Sequence, residues 1–258
     1  MANNYKLVCG IVCYNTRVSI VKSTVESLFK STIQLSVHIY CNSSDEAYGM
    51  QLKDALESFG SRLKLHLGME NKGFGHGHNV IVEHLADDFD WYVCCNPDIR
   101  VFSDTIENLI RFGETHPDSI ILGPKILGVS GQVESLARQN PTLPRWVQRQ
   151  LWRVFPNFFR PFEVRFDYNS AAPIEFVSGC FFLIRKEHYR LLGGFSKEFF
   201  LYYEDADFSR KASQIGNNYY VANASVIHLW QKAWTGSFRM SVIHLRSLLT
   251  YFNRWGWF

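Results

Sequence analysis

What the sequence lacks narrows it first. Its longest apolar runs, such as "VCGIVCY" and "GCFFLI", fall far short of the roughly 18–20 residues that a bilayer-spanning helix requires. The first residues, "MANNYK", are polar and do not read as a secretory leader. Together these absences lead to the expectation of a cytoplasmic protein. No CxxC pair is present to suggest a zinc site. Cys9, Cys13, Cys41, Cys94, Cys95 and Cys180 fall mostly in strand-like apolar runs, where a free thiol behaves as a small hydrophobe. The formal net charge of +3 is too small to point to nucleic acid as a partner. No internal repeat or low-complexity tract is visible.

What is present reads as a folded globular chain. Hydrophobic residues make up 47% and charged residues 20% of the 258 positions, which argues against disorder. The length suits one large domain, or two small ones sharing a core. "KLVCGIVCY" (6–14) is a continuous apolar run, as expected of a strand buried on both faces. A helix over about 17–30 follows, with Val18, Val21, Val25, Leu28 and Phe29 at helical spacing. The alternation continues with strand 35–41, helix 45–59, strand 62–68, a Gly-rich turn with a short helix over 71–86, strand 90–95, helix 103–115 and strand 119–123. Such repetition predicts an α/β fold with a mostly parallel, Rossmann-like sheet flanked by helices. Ligands of such sheets collect beyond the carboxyl ends of the strands. After residue 124 the rhythm breaks: 142–166 shows no clear period, a strand is expected over 173–185, a helix over 186–192, and an acidic helix from Glu204. The expected organisation is one domain over 1–258, with a nucleotide-type half (1–123), a second half that completes the site (124–236) and a C-terminal amphipathic helix (237–258).

Three stretches carry candidate chemistry. In "CCNPDIR", Asn96 and Asp98 stand where the fourth strand should end. An amide oxygen and a carboxylate at that spacing suit a hard divalent cation that keeps other ligands from substrate phosphates, and they equally suit a plain Asn-Pro-Asp turn. "NKGFGHGHN" (71–79) has three glycines that let backbone approach a ligand closely. It matches neither GxGxxG nor the P-loop pattern, and His76 and His78 read as exposed, neutral loop histidines. In "FFLYYEDADFSR" (199–210), acids at a helix start interact well with the macrodipole. That reading accounts for Asp207, with Arg210 and Lys211 at i+3 and i+4. It accounts less well for Glu204 and Asp205, which follow aromatic residues and have no such basic partner. His228 stands near the end of a late strand.

The order "CYN", "NKGFGHGHN", "NPD", "SGCFFLIRKEHYRLLGGFSKEFFLYYEDADF" and "VIH" resembles the inverting GT-A glycosyltransferases, above all their bacterial rhamnosyltransferase branch. The resemblance spans roughly residues 6 to 230. It implies a nucleotide-sugar donor, dTDP-L-rhamnose in this branch, a divalent cation (Mg²⁺ or Mn²⁺), and a single displacement that inverts the anomeric carbon. By the same resemblance Asp98 holds the metal with Asn96 beside it, and His228 helps hold the metal or diphosphate. Asp205 is the catalytic base and Glu204 the acidic neighbour that orients the acceptor. Tyr14, Asn15, Asn42 and Ser44 face the nucleotide, and Asn71, Gly73, Phe74 and Asn79 lie over nucleotide and sugar. Two positions depart from the pattern: Asn96 replaces the first of the usual paired aspartates, and Cys41 stands where an Asp reads the pyrimidine.

The implied acceptor is a hydroxyl of a cell-surface or lipid-linked glycan of the lipopolysaccharide or O-antigen type. Between Arg145 and Arg165 there are five Arg against one acid, Glu163, interleaved with Trp and Phe. That is also the composition of membrane-surface segments, and it would suit peripheral attachment to the inner face of the cytoplasmic membrane. The same residues would equally serve as core beneath an acceptor-side lid. A non-catalytic nucleotide-sugar or carbohydrate-binding module is the alternative that Asn96 and Cys41 favour; a nucleotidyltransferase is a weaker third.

Overall fold

The computed structural model describes residues 5–68, 70–86, 88–134, 139–158, 166–229 and 238–258. Its first half alternates β1 (Leu7–Cys13), α1 (Val18–Leu28), β2 (Ser36–Cys41), α2 (Glu46–Leu56), β3 (Leu63–Leu67), α3 (Phe74–Leu85) and β4 (Trp91–Cys95). Every residue of β1 and β4 is buried, as an uninterrupted apolar strand under helices on both faces must be. The second half comprises β5 (Ile99–Val101), α4 (Thr105–Thr115), β6 (Ser119–Leu127), α5 (Leu143–Val154), β7 (Ala172–Ile174), β8 (Phe181–Arg185), α6 (Lys186–Leu191), α7 (Glu204–Ala212), β9 (Asn217–His228) and α8 (Phe238–Trp255).

The strands form one sheet in the order β3-β2-β1-β4-β8-β6-β9-β5, with β7 paired to β9. The pairs from β3 to β4 are parallel. Beyond β4 the sheet is mixed, because β8 runs antiparallel to both β4 and β6. That reversal positions the site. Phe181, the first residue of β8, pairs with Cys95, the last of β4; the residues just before β8 therefore lie at the carboxyl rim of the parallel strands. β6 and β9 are parallel, so the end of β9 reaches the same rim, where His228 pairs with Ile99.

The predicted strand over 173–185 divides into β7 and β8, and Val177 between them donates its N–H to Ser209 Oγ of α7 at 3.1 Å. Where 142–166 showed no period, α5 forms with a proline in its first turn, a position where the missing N–H costs nothing. No α5 residue is fully buried, yet Leu143, Trp146, Val147, Leu151 and Val154 recur at helical spacing, and Leu143 and Trp146 pack on a core cluster. The period is there, masked by interleaved arginines and flanking prolines. Apolar clusters fill both faces of the sheet. A third, of Phe176, Phe199, Ala206, Leu248, Tyr251 and Phe252, packs α7 against α8. All six cysteines are buried and free, as their strand-like surroundings suggested.

Two local expectations are corrected. His78 is not an exposed loop residue: α3 begins at Phe74, which turns His78 onto the helix face against the sheet, and it is 0% exposed. Its ring nitrogens meet Tyr92 Oη at 2.7 Å and Cys94 Sγ at 3.2 Å, and burial pushes its pKa down to about 3. His76 lies half-buried on the same helix, edge-on to the Tyr40 ring. Asp207 does not take Arg210 or Lys211 as its hydrogen-bonded partner. It is fully buried against α8, where Arg254 Nη1 (2.9 Å) and Trp255 Nε1 (2.8 Å) donate to Oδ1. Lys211 instead donates to the carbonyls of Leu192 and Gly194.

Candidate active site

Asp98 follows the turn that ends β4, and its side chain is nearly buried. His228 Nε2 lies 3.3 Å from Asp98 Oδ1, and the backbone closes the same junction, with Leu229 N donating to Asp98 O at 2.9 Å. Two residues earlier, Asn96 N donates to Cys180 O at 2.8 Å. The neighbour of Cys180, Gly179, donates its N–H to Asp205 Oδ2 at 3.0 Å. Asp98, His228 and Asp205 are thus joined through short backbone links at the carboxyl rim of the sheet. Gly179 was quoted only as part of a longer motif, and it proves to be the bridge. A Cβ there would press on Asp205 Cβ at 3.1 Å and on the Phe74 ring at 3.4 Å.

The turn into α7 is strained. Tyr202 and Tyr203 both adopt left-handed backbone, with φ of 69° and 65°, which costs roughly 1–2 kcal/mol for each non-glycine residue. Packing holds them there: both rings lie against His244 of α8, and Tyr203 also meets Tyr251. The result is a helix whose first residues are Glu204 and Asp205. Asp205 Oδ1 accepts from Ala206 N at 2.9 Å. Glu204 is buried, and its Oε2 has no hydrogen-bond partner among the described residues. Desolvation, and then the neighbouring Asp205 charge, push its pKa up to about 8.

Glu204 therefore couples stability to pH. Its folded pKa is above the ordinary carboxylate value of 4.5, so the folded state retains a proton that the unfolded state releases. The associated stability is complete below pH 4.5 and is lost as pH rises through about 8. Glu204→Gln keeps the shape and removes the titration. The decline of Tm across that window is expected to flatten in the Gln variant; an unchanged slope would assign the pH dependence to another group.

On the nucleotide side, Asn42 is buried at the end of β2 and knits two loops together. Its Nδ2 donates to Asn71 Oδ1 (2.8 Å) and Gly73 O (3.0 Å), and its Oδ1 accepts from Lys72 N (3.1 Å). Gly73 has φ of 100°, and a Cβ there would collide with the carbonyl of Phe200, so only glycine lets the two loops meet. Phe74 N donates to that same carbonyl at 3.1 Å. Tyr14 and Asn15 are exposed after β1, and Asn15 Oδ1 accepts from Ser43 Oγ at 2.9 Å. Ser43 is the buried serine at this point, whereas Ser44 is exposed; the adjacent identical residues gave no sequence signal to separate them. Asn79 lies apart from these contacts. Its amide is committed to Phe195 N, Phe195 O and Tyr189 Oη at 2.8–2.9 Å, tying α3 to the 193–203 loop. Cys41 and Cys13 are register partners at the ends of β2 and β1, with hydrogen bonding between the thiols pushing the Cys41 pKa down.

A hard divalent cation such as Mg²⁺ needs a near-octahedral set of ligands, oxygens above all. Among the described residues no group of three or more His, Cys, Asp or Glu is arranged to hold a metal ion. Asp98 and His228 form a pair, and the 3.3 Å between their nearest atoms is close to the ~3 Å separation of neighbouring ligands bonded at ~2.0–2.1 Å to an octahedral ion. A Mg²⁺-like ion commonly takes one or two protein ligands and completes its shell from phosphates and water. The residues fit that partial role.

Comparison with known proteins follows the same line. No protein-family model matches the chain. The sequence is 31% identical over 172 residues to N-acetylglucosaminyl-diphospho-decaprenol L-rhamnosyltransferase of Mycobacterium tuberculosis, in strains CDC 1551/Oshkosh and ATCC 25618/H37Rv alike. The match covers 61% of this chain and 56% of the relative, so the chain spans about half the length of the curated relatives it matches. The structure is similar to GalNAc-T7 crystallised with UDP, GalNAc and Mn²⁺, with a TM-score of 0.73, 16% identity, and 99% of this chain and 49% of that one covered. It is also similar to the mannosyltransferase PcManGT of Pyrobaculum calidifontis in complex with GDP-Man and Mn²⁺, with a TM-score of 0.67, 14% identity, and coverage of 98% and 64%. S. aureus TarS 1–349 superposes with a TM-score of 0.58 at 16% identity over 87% of this chain and 60% of that one. The chain has the GT-A glycosyltransferase fold, and its sequence is similar to that of a mycobacterial L-rhamnosyltransferase.

Proposed function

We propose that the chain is an inverting glycosyltransferase that moves L-rhamnose from dTDP-L-rhamnose onto a hydroxyl of a lipid-linked glycan. The observation that carries this reading is the convergence of Asp98, His228 and Asp205 on one rim, linked through Asn96, Cys180 and Gly179. The similarity to a decaprenol-linked rhamnosyltransferase supports the choice of sugar and acceptor class. In this scheme the acceptor oxygen attacks the anomeric carbon from the face opposite the diphosphate. The bond from that carbon to the diphosphate oxygen breaks, and the hydroxyl proton passes to Asp205, a general base at the start of α7 on the sheet rim. The diphosphate leaves as an anion, beside His228. A divalent cation held by Asp98 and His228, with Asn96 adjacent, would supply charge neutralisation to that leaving group. Asn42, Asn71 and Gly73 hold the two loops that flank the nucleotide, with Tyr14, Asn15 and Ser44 at its exposed edge and Phe74 at the start of α3. Asn79, in the middle of that helix, acts indirectly by bracing it through Phe195 and Tyr189.

The test is a donor screen with dTDP-, UDP- and GDP-sugars, with and without Mn²⁺, reading binding by thermal shift and turnover by released nucleotide. Selective stabilisation and turnover with dTDP-rhamnose are expected. A second reading, a non-catalytic nucleotide-sugar-binding module, is favoured by Asn96 and Cys41 at positions the family fills with aspartates; it predicts binding with no turnover under any condition. Asp98→Ala is expected to weaken metal-dependent donor binding by ~10-fold or more. Titration calorimetry giving equal donor affinity in the variant and the parent would remove Asp98 from the metal site.

A further inference from the structure

The α5–α8 layer carries a surface that the catalytic reading does not use. α8 buries Leu248, Tyr251 and Phe252 inward, yet Phe238, Val242, Leu245 and Leu249 are 85%, 50%, 49% and 41% exposed. Their spacing of four, three and four residues places them on one helical stripe. Beside α8 lies α5: Leu143 N donates to Trp257 O at 2.8 Å, Leu143 and Trp146 pack on the α8 cluster, and the Arg153 charge reaches His244. Val147, Trp152 and Val154 of α5 are exposed as well.

The charge on these helices has one sign. Arg145, Arg149 and Arg153 of α5 and Arg239 and Arg246 of α8 are all exposed, and neither helix contains an Asp or Glu. The remaining arginine, Arg254, is spent on Asp207 and Glu198. An apolar stripe flanked by arginines, on helices that themselves carry no acid, is the arrangement of a helix that lies in an anionic lipid interface, with its apolar side chains in the acyl boundary and its guanidinium groups among the headgroups. No helix among the described residues is long and apolar enough to cross a membrane, so contact would be from one side only.

We propose that the α5–α8 layer docks the protein on an anionic lipid bilayer. This deepens the proposed function, on which its purpose rests: a lipid-linked acceptor is presented at that surface. α8 also braces the strained turn that aims the site acids, through Ser247 Oγ on Leu201 O at 2.8 Å and His244 on Tyr202 and Tyr203. Docking and acceptor delivery would therefore occur on neighbouring parts of the molecule.

The experiment is flotation of the full chain with phosphatidylcholine vesicles, with and without phosphatidylglycerol, in low and high salt. Binding to the anionic vesicles that weakens with salt is expected. Leu249→Glu and Leu245→Glu should each reduce it ~10-fold or more, and Arg239→Gln or Arg246→Gln about fivefold each. Met50→Glu, an exposed apolar residue of α2, should leave it unchanged. Melting curves of each variant confirm that it is folded, because these side chains face solvent. No vesicle binding, equal binding to neutral vesicles, or self-association in light scattering that Leu249→Glu abolishes would each overturn the proposal. The donor screen separates the two readings: vesicle binding without nucleotide-sugar binding sinks the transferase alone, and the converse sinks only the docking face.

Discussion

Asp205→Asn is expected to lower turnover about 10²–10⁴-fold while donor affinity stays close to that of the parent protein. Asp205 lies where α7 begins, fixed by the N–H groups of Gly179 and Ala206. An amide in its place retains one acceptor oxygen for those donors and cannot accept a proton from an acceptor hydroxyl. The rate loss should therefore appear in kcat for transfer and not in calorimetric donor binding, with a modest fall in Tm from the lost second acceptor. The neighbouring carboxyl supplies the control. Burial pushes the Glu204 pKa to about 8, so near neutral pH it carries a proton and is unfit to take another. Glu204→Gln should consequently cost much less turnover than Asp205→Asn. If Asp205→Asn keeps near-parental turnover, or Glu204→Gln is the more damaging of the two, the base is not Asp205.

The sequence disclosed most where local pattern and burial coincide. β1 and β4 are buried on both faces, and an unbroken apolar run is what double burial selects. The start of α7 was legible because its acids cluster in one turn. β5 was not: with three residues it is too short to express a period, and it exists through pairing with β9, more than a hundred residues later. α5 was not legible for another reason. Leu143, Trp146, Val147, Leu151 and Val154 do recur at helical spacing, but the arginines between them and Pro141, Pro144 and Pro156 broke the pattern up within the longer 142–166 stretch. Within the site, Asp98 and His228 were each ambiguous alone; sheet direction brings the ends of β4 and β9, and with them these two side chains, to one edge. The roles of Gly179 and Ser43 depend on backbone geometry that neither residue type announces. His78 was misread because the glycines around it suggested a loop, whereas they allow α3 to pack closely: a Cβ on Gly77 would strike Val12.

Asp207 is the plainest case of a partner that local spacing conceals, and it carries the other large expected effect. Arg210 and Lys211 offered helical i+3 and i+4 pairs, worth only a few tenths of a kcal/mol at a surface. The carboxylate of Asp207 is instead entirely buried and takes Arg254 and Trp255, 47 and 48 residues away. Only the Asp207 end is buried, since the Arg254 side chain is 34% exposed. Removing Arg254 still leaves the Asp207 charge desolvated and uncompensated, at a cost of ~3 kcal/mol, the low end for a broken buried pair. For a chain of this size each kcal/mol lowers Tm by roughly 2–4 °C, so Arg254→Ala should lower Tm by about 10 °C. The double variant Asp207→Asn/Arg254→Met removes both charges and retains the Trp255 donor to an amide oxygen. It should regain most of that loss, because no buried charge is then left without a partner. A single-variant loss under ~1 kcal/mol would mean that water reaches Asp207 and the bridge is a surface contact. A double variant no better than Arg254→Ala would mean that Arg254 acts through its packing or its second partner, Glu198. In either event the link from α8 to α7 would not be electrostatic, and the strained Tyr202–Tyr203 turn would depend on aromatic packing and the Ser247–Leu201 hydrogen bond to hold Glu204 and Asp205 at the rim.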